Sequence, residues 1–365
     1  MTSRCQSFAA RQWLSARPVA STLLLGTPSV EARDAGEGRG LGLFATQPIA
    51  AFSQILCDTP LILMKPNDDL PELYKQFANL PKEDQERYLS LSQHADLSRD
   101  ALLKDKLLQR GFGTEGLEEM ANVAGIMQTN AFNVDLHDGQ GPRHRALFPS
   151  IARINHSCAP NAHVCFYPPN GGESRGRMTV HALNKLESGA EILISYFNIL
   201  LPRSERQAKT QKWGFTCLCT VCADTDGAET QREAIRTFNA DQSRLVQRTK
   251  IMMKEVNAIM EKGESLADLL KDQTELYPAL PDIFEHLGML QAKGPVVQKR
   301  HRGRDKLLAL LEQAVIWEAR ITGVSSPATR RRLRQMAQFE AEGDNQKAAH
   351  IAIDGTGNYV VQWND

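Results

Sequence analysis

The stretch FTCLCTVC, Phe215 to Cys222, constrains this 365-residue chain more than any other. Its Cys217, Cys219 and Cys222 follow C-x-C-x2-C spacing. The chain holds seven cysteines, an odd number, so this crowding favours a metal over disulfides and a reducing compartment. Zinc takes four ligands in a tetrahedron, with thiolate bonds of about 2.3 Å. Three thiolates leave one position to be filled from elsewhere. Cys5 lies in a polar leader, and Cys57 and Cys165 fall on apparent strands, where a cysteine acts as a small buried hydrophobe. Cys158 stands in the turn-like RINHSCAPNA, Arg153 to Ala162, which frees its sulfur. It is the expected fourth ligand, and the metal would bring this turn and the segment around Phe215 into one pocket.

The turn itself is dense in polar groups: Asn155, His156, Ser157, Asn161 and Pro160 follow an apolar run. Such a segment reads as a turn leaving a buried strand, a place where chemistry is often carried. Around it, Gly-rich turns alternate with short apolar runs. Leu41 to Ala45 and Gln54 to Cys57 read as hairpin strands, and HVCFYP, RMTVHAL and AEILISYF as further strands. Between the two groups, Leu73, Phe77 and Leu80, then Leu117, Met120 and Ala124, recur at helical spacing. A helical insert is expected there.

Beyond Ala228 the pattern changes. Ile235, Phe238, Leu245, Met252, Val256 and Ile259 mark one face of a long amphipathic helix. Further helices are expected near Ile283 to Leu290, Lys306 to Arg320 and Arg330 to Ala341. MAQFEAEGDNQKAAHIA reads as two Ala-rich helices about a turn at Gly343 to Asn345, a tetratricopeptide-like hairpin.

With 42% hydrophobic residues the chain can bury about two cores. Forty-three basic residues balance forty-three acidic ones, so no global field draws it to nucleic acid or an anionic membrane. The basic runs KRHRGRDK and RRRLR have few interleaved aromatics and read as solvated helix faces. STLLLGTPSV is too short to span a bilayer. The first thirty residues lack Asp and Glu and carry Arg4, Arg11 and Arg17, a composition like that of an organellar transit peptide. GEGRGLG is neither a dinucleotide fingerprint, since strand rather than helix follows it, nor a P-loop, which needs Gly-Lys-Ser/Thr.

GRGLGLFA, RINHSCAPNA, GAEILISYF and WGFTCLCTVC occur in the order and spacing of the SET-domain protein lysine methyltransferases. From about Ser29 to Ala223 the chain resembles that family, most closely its SMYD-type branch and fungal SET relatives. No cysteine lies between Cys57 and Cys158, so the MYND finger of SMYD proteins is absent. The resemblance implies an α+β fold. A flexible leader (1–28) would precede a β-rich SET domain with a pseudoknot (29–202), interrupted by a helical insert at about 68–130. A zinc-binding post-SET segment (203–225) and a helical C-terminal domain (226–365) would follow.

The implied activity is methyl transfer from S-adenosylmethionine to a protein lysine, in a histone tail or elsewhere. Tyr196 in ISYF matches the family's catalytic tyrosine, which also borders the cofactor. Gly38, Arg39 and Gly40 would approach the cofactor's methionine and ribose. Asn155 would bind it by its side-chain amide, His156 through its backbone near the adenine, and Asn130 in QTNAF at the methionine end. Trp213 and Phe215 would cover the adenine, and Cys158, Cys217, Cys219 and Cys222 would hold one structural zinc. Expected partners are a protein substrate only, with no nucleic acid, no membrane and a monomeric state. The family implies nucleus or cytoplasm; the acid-free leader points instead to the mitochondrion. The rival reading is an inactive SET scaffold that binds partners, against which the intact NHSC turn, Tyr196 and cysteines speak.

Overall fold

The computed structural model describes residues 29–36, 38–94, 116–169, 175–224, 227–248, 252–293, 301–342, 349–353 and 359–363, with a few isolated residues between 104 and 113. The expectations for the leader, for Cys5, for the middle of the insert and for the turn at Gly343 to Asn345 lie outside the described residues.

Strands β1 (Val30–Asp34) and β2 (Leu41–Ala45) form an antiparallel hairpin in register from Val30↔Ala45 to Asp34↔Leu41. Their turn uses Gly36, Gly38 and Gly40 at φ of 71°, 72° and 72°, a left-handed conformation that glycine adopts without a Cβ penalty. The sheet runs on through β10 (Glu191–Ile194) to β7 (Asn155–His156) in the order β1-β2-β10-β7. β10 is antiparallel to β2 and parallel to β7, with Leu193 beside Asn155 and Ile194 beside His156. Two three-stranded sheets complete this part. One is β3 (Gln54–Asp58), β9 (Arg177–Ala182) and β8 (Ala162–Tyr167); the other is β4 (Ile62–Met64), β6 (His144–Leu147) and β5 (Phe132–Val134). β2 and β3 therefore belong to different sheets rather than to one hairpin. Inward residues of the sheets, among them Leu43, Val180 and Ile192, share one core with Phe148 and Ile154 from the segment between β6 and β7.

Cys57 departs from expectation. It is exposed, because the β3–β9 register shifts between Gln54 and Leu56. A bulge of that kind changes which face the following side chains meet, so Ile55 is buried and Cys57 is not.

The insert contains helices Leu70–Ala78, Lys82–Leu89 and Leu117–Asn130. Asp69 caps the first by accepting from the Glu72 N–H at 3.2 Å. Leu73, Phe77 and Tyr88 pack against Val123 and Ile126, and the Tyr88 hydroxyl donates to the Val123 carbonyl at 2.7 Å. This packing fixes the third helix, whose last residue is Asn130.

The C-terminal region is helical: Gly227–Val246, Met253–Leu270, Leu280–Lys293, His301–Thr322 and Pro327–Glu342 bury a second core that includes Ile235, Phe238, Leu287 and Trp317. The long helix expected through Met252 is two helices. Met252 is 62% exposed at the second helix's start, where Glu255 accepts from its N–H at 3.2 Å and satisfies an orphan donor. The RRRLR run is not a solvated face throughout, since Arg332 is buried and donates to Glu318, Asp282 and Glu285. The helical hairpin expected at the end is also corrected: β11 (Ala349–Ile353) pairs antiparallel with β12 (Tyr359–Trp363). Two β-branched and aromatic runs around a Gly-rich stretch, DGTGN, are a hairpin signal that outweighs two alanines.

Candidate active site

The cysteines come together as expected. The Sγ atoms of Cys158, Cys217, Cys219 and Cys222 all lie within 4.8 Å of one another, with Cys158 fully buried. Thiolates on one tetrahedral zinc stand roughly 3.8 Å apart, and the Cys158 and Cys222 sulfurs are 3.6 Å apart. The donor set therefore fits one zinc. Hydrogen bonding within the cluster, from Cys158 first, holds the Cys219 thiol well below its usual range; Cys158, bonded first by Cys217, is pushed above it. Gln207 holds the Cys217 backbone at both ends, accepting from its N–H at 3.2 Å and donating to its carbonyl at 2.8 Å.

Two buried arginines stand behind the cluster. Arg232, 1% exposed on the Gly227–Val246 helix, donates to the Cys158 carbonyl at 3.0 Å and to that of Ile199 at 3.1 Å. Arg206, fully buried, donates to the Leu201 carbonyl and to Glu229, each at 2.6 Å. A four-thiolate zinc would carry two net negative charges, which the Arg232 guanidinium beside it would partly offset, while the charge of Arg206 is matched by Glu229.

The polar turn is pinned to β10 by its own side chains. Asn161 donates to the Glu191 carbonyl and accepts from the Leu193 N–H, both at 2.8 Å, while the Ser157 hydroxyl accepts from the Ala159 N–H at 3.0 Å. His156 accepts at Nδ1 from the Tyr196 N–H at 3.1 Å, so its proton resides on Nε2, which faces Cys158 Sγ at 3.4 Å. Burial lowers its pKa to about 4; it is neutral at pH 7.

Tyr196 follows β10, and its hydroxyl donates to the Ile154 carbonyl at 2.8 Å. Burial first, then the nearby Glu191 charge, raises its pKa above the usual phenol range. It is a donor at neutral pH, not a base. Its ring centroid lies 5.1 Å from that of Trp213 and 5.2 Å from that of His156. Phe215 is 6.0 Å from His156 and Phe197 is 4.6 Å from it. Trp213 is fixed by donating Nε1–H to the Thr129 carbonyl at 2.8 Å. Next to it Gly214 has φ 76°, and a Cβ there would stand 2.2 Å from His94 Nδ1. Only glycine lets this backbone approach the insert so closely.

The glycine hairpin, Asn130 and Asn155 meet through shared neighbours. Asn130 donates to the carbonyls of Ser92 at 2.7 Å and Ile126 at 2.8 Å, and a Cβ at Gly40 would stand 3.8 Å from the Ser92 hydroxyl. Asn155 Nδ2 donates to Glu191 Oε1 at 2.9 Å, and Arg39 pairs with Glu191 Oε2 at 2.7 Å. Gly38 sits in the turn beside Arg39. Sequence reasoning missed Glu191, Gln207, Thr129, Arg206 and Arg232. Glu191 lies inside GAEILISYF and Thr129 inside QTNAF, but each of the five is an ordinary polar residue whose role comes from what the fold places opposite it.

A SET domain family profile matches residues 40–197. The histone-lysine N-methyltransferase set5 of Schizosaccharomyces pombe is 28% identical over 51% of this chain and 48% of its own length. The histone-lysine N-methyltransferase ATXR2 of Arabidopsis thaliana is 35% identical over 22% of this chain and 16% of its own, and the human N-lysine methyltransferase SMYD2 is 32% identical over 22% and 17%. The chain thus spans about half the length of the first of these relatives and less than a fifth of the other two. Among solved structures, the SET domain of LSMT bound to lysine and AdoHcy aligns over 93% of this chain and 92% of that one, at 14% identity and a TM-score of 0.34. The similarity to the SET-domain family is carried by residues 40–197 of this chain.

Proposed function

We propose that the chain is a protein-lysine N-methyltransferase that uses S-adenosylmethionine. The observation that carries this reading is the Tyr196 hydroxyl on the Ile154 carbonyl, inside an aromatic wall and beside the turn that holds Asn155 and Cys158. The residues fit such a cofactor. Half-buried Asn130 and Asn155 offer polar contacts, the glycine hairpin brings backbone close, and Phe215 with His156 offers a flat apolar surface. When bound, S-adenosylmethionine supplies a methyl group activated on a sulfonium sulfur.

The chain's own part is to present a neutral amine in line with that methyl group. A free lysine titrates near 10.4, so its ammonium must be disfavoured by removal from water. The Trp213, Tyr196 and Phe197 rings supply an apolar surface for this purpose. The Tyr196 oxygen and the Ile154 carbonyl offer acceptors to the amine N–H bonds, which orients the lone pair; such alignment supplies much of the rate in a two-reactant step. We assign Trp213 to the wall of this lysine channel, because it lies against Tyr196 and is tied to Thr129. The adenine is left to Phe215 and the His156 side. The cysteines with zinc hold the Trp213 to Cys222 segment over the site. We also propose the division into a SET domain over 29–202, a zinc-binding segment over 203–225 and a helical C-terminal domain.

The relatives' names include both histone-lysine and N-lysine methyltransferases, and the proposed substrate is a protein lysine, with histones the first class to try. Calorimetric titration with S-adenosylhomocysteine, followed by labelled methyl transfer to histones and to a cell extract, tests the reading. Binding with transfer is expected. A zinc-loaded, folded protein that binds no S-adenosylhomocysteine would overturn it and leave the non-catalytic scaffold.

A further inference from the structure

The Gly-rich hairpin and Asn155 are joined by one side chain that the mechanism above does not use. Glu191 opens β10, and its carboxylate is only 12% exposed. One oxygen accepts from Asn155 Nδ2 at 2.9 Å, and the other pairs with Arg39 at 2.7 Å. Arg39 also donates to the Ala35 carbonyl across its own turn. Glycine at position 42 makes room for this arrangement, since a Cβ there would stand 2.7 Å from Glu191 Oε1 and 3.0 Å from Asn155 Nδ2.

The chemistry of the partners settles which way the asparagine faces. An ionised carboxylate only accepts, so the Asn155 amide must turn its NH2 to Glu191 and its Oδ1 away. Asn130 obeys the same logic, with its NH2 on two backbone carbonyls, those of Ser92 and Ile126. Among the described residues neither Oδ1 has a partner. Both asparagines thus present acceptors, which suit a cationic donor and disfavour a carboxylate.

We propose that Glu191 is a positioning residue for the cofactor's α-ammonium group: it fixes Asn155 with its oxygen toward the site and, through Arg39, holds the glycine hairpin in place. This rests on the S-adenosylmethionine reading above. Without Glu191 the Asn155 amide is free to rotate by half a turn and present a donor to a cation.

The test is Glu191→Gln, which keeps shape and removes the acceptor-only constraint. Affinities for S-adenosylhomocysteine and for its analogue lacking the α-amino group are measured by calorimetry and competition on wild type and variant, with melting temperature as a check on folding. A hydrogen bond to a charged group accounts for about a tenfold effect. The expected result is a loss of about that size for S-adenosylhomocysteine, little change for the deamino analogue and a melting temperature near that of wild type. Equal loss for both ligands would make Glu191 merely structural, and no loss for either would show that it positions nothing; both outcomes overturn the proposal while leaving the cofactor reading intact. Failure of the wild type to bind S-adenosylhomocysteine would instead overturn that reading, and this inference with it.

Discussion

A single hydroxyl sits at the centre of the proposed chemistry. Tyr196 keeps its proton, because burial and Glu191 raise its pKa, so its contribution is a fixed acceptor and donor position. Tyr196→Phe removes that oxygen while keeping the ring against Trp213 and His156. Misplacement of a reacting group by about 1 Å costs on the order of 10²-fold in rate. Turnover is therefore expected to fall by about that factor while S-adenosylhomocysteine affinity holds, as read by labelled transfer and calorimetry. Gly42→Ala should give the opposite pattern. The new Cβ would press on Glu191 and Asn155, and cofactor affinity should fall by about tenfold, the size expected for one lost charge-assisted hydrogen bond; unchanged affinity would show that the carboxylate yields.

At the scale of elements, the site was legible wherever chemistry recurs within a few residues. C-x-C-x2-C and NHSC point to one another through ligand count alone, and the sulfurs do converge. Strand and helix positions followed from period as well. What could not be read was pairing and parity. The β3 bulge that exposes Cys57 leaves no mark in an alternating pattern, and the break before Met253 interrupts a spacing that continues across it by chance. The β11–β12 hairpin was missed for another reason: alanines read as helix formers locally, whereas cross-strand pairing is non-local. The buried arginines fall in the same class, since nothing marks Arg232 until the fold sets it against the Cys158 carbonyl. Arg232→Met would leave the carbonyls of Cys158 and Ile199 without this donor, at about 1–3 kcal/mol for each buried group left unsatisfied. Lower denaturant stability and faster zinc loss to a chelator are expected together. Cys219→Ser should lose the metal outright, with the melting transition following it, because the binding free energy of a structural zinc is folding free energy.

Over the whole molecule, the sheets and the C-terminal helices meet along β8 and β9. The Tyr167 hydroxyl donates to the Thr322 carbonyl at 3.0 Å, and a Cβ at Gly323 would stand 3.2 Å from His181 Nε2 and 3.3 Å from the Tyr167 hydroxyl. His181 faces His163 across the strand pair, with Thr179 also close. Burial first, then His163, lowers the His181 pKa to about 4. Above about pH 6.5 the imidazole is neutral in both the folded and the unfolded chain, and its burial carries no proton cost. Between about pH 6.5 and 4 the unfolded chain binds a proton that the folded one refuses, so stability falls as pH falls; below 4 both forms bind it. The span is worth about 3 kcal/mol at most, at roughly 1.4 kcal/mol per unit. Glu318, raised by burial to about 7, works in the opposite direction: the folded state keeps its proton longer, which adds stability as pH falls. The contribution of His181 is therefore the difference between wild type and His181→Gln. Denaturant melts at pH 7 and pH 4.5 should show that the variant loses less stability on acidification than the wild type, and parallel losses would place the acid sensitivity elsewhere in the molecule.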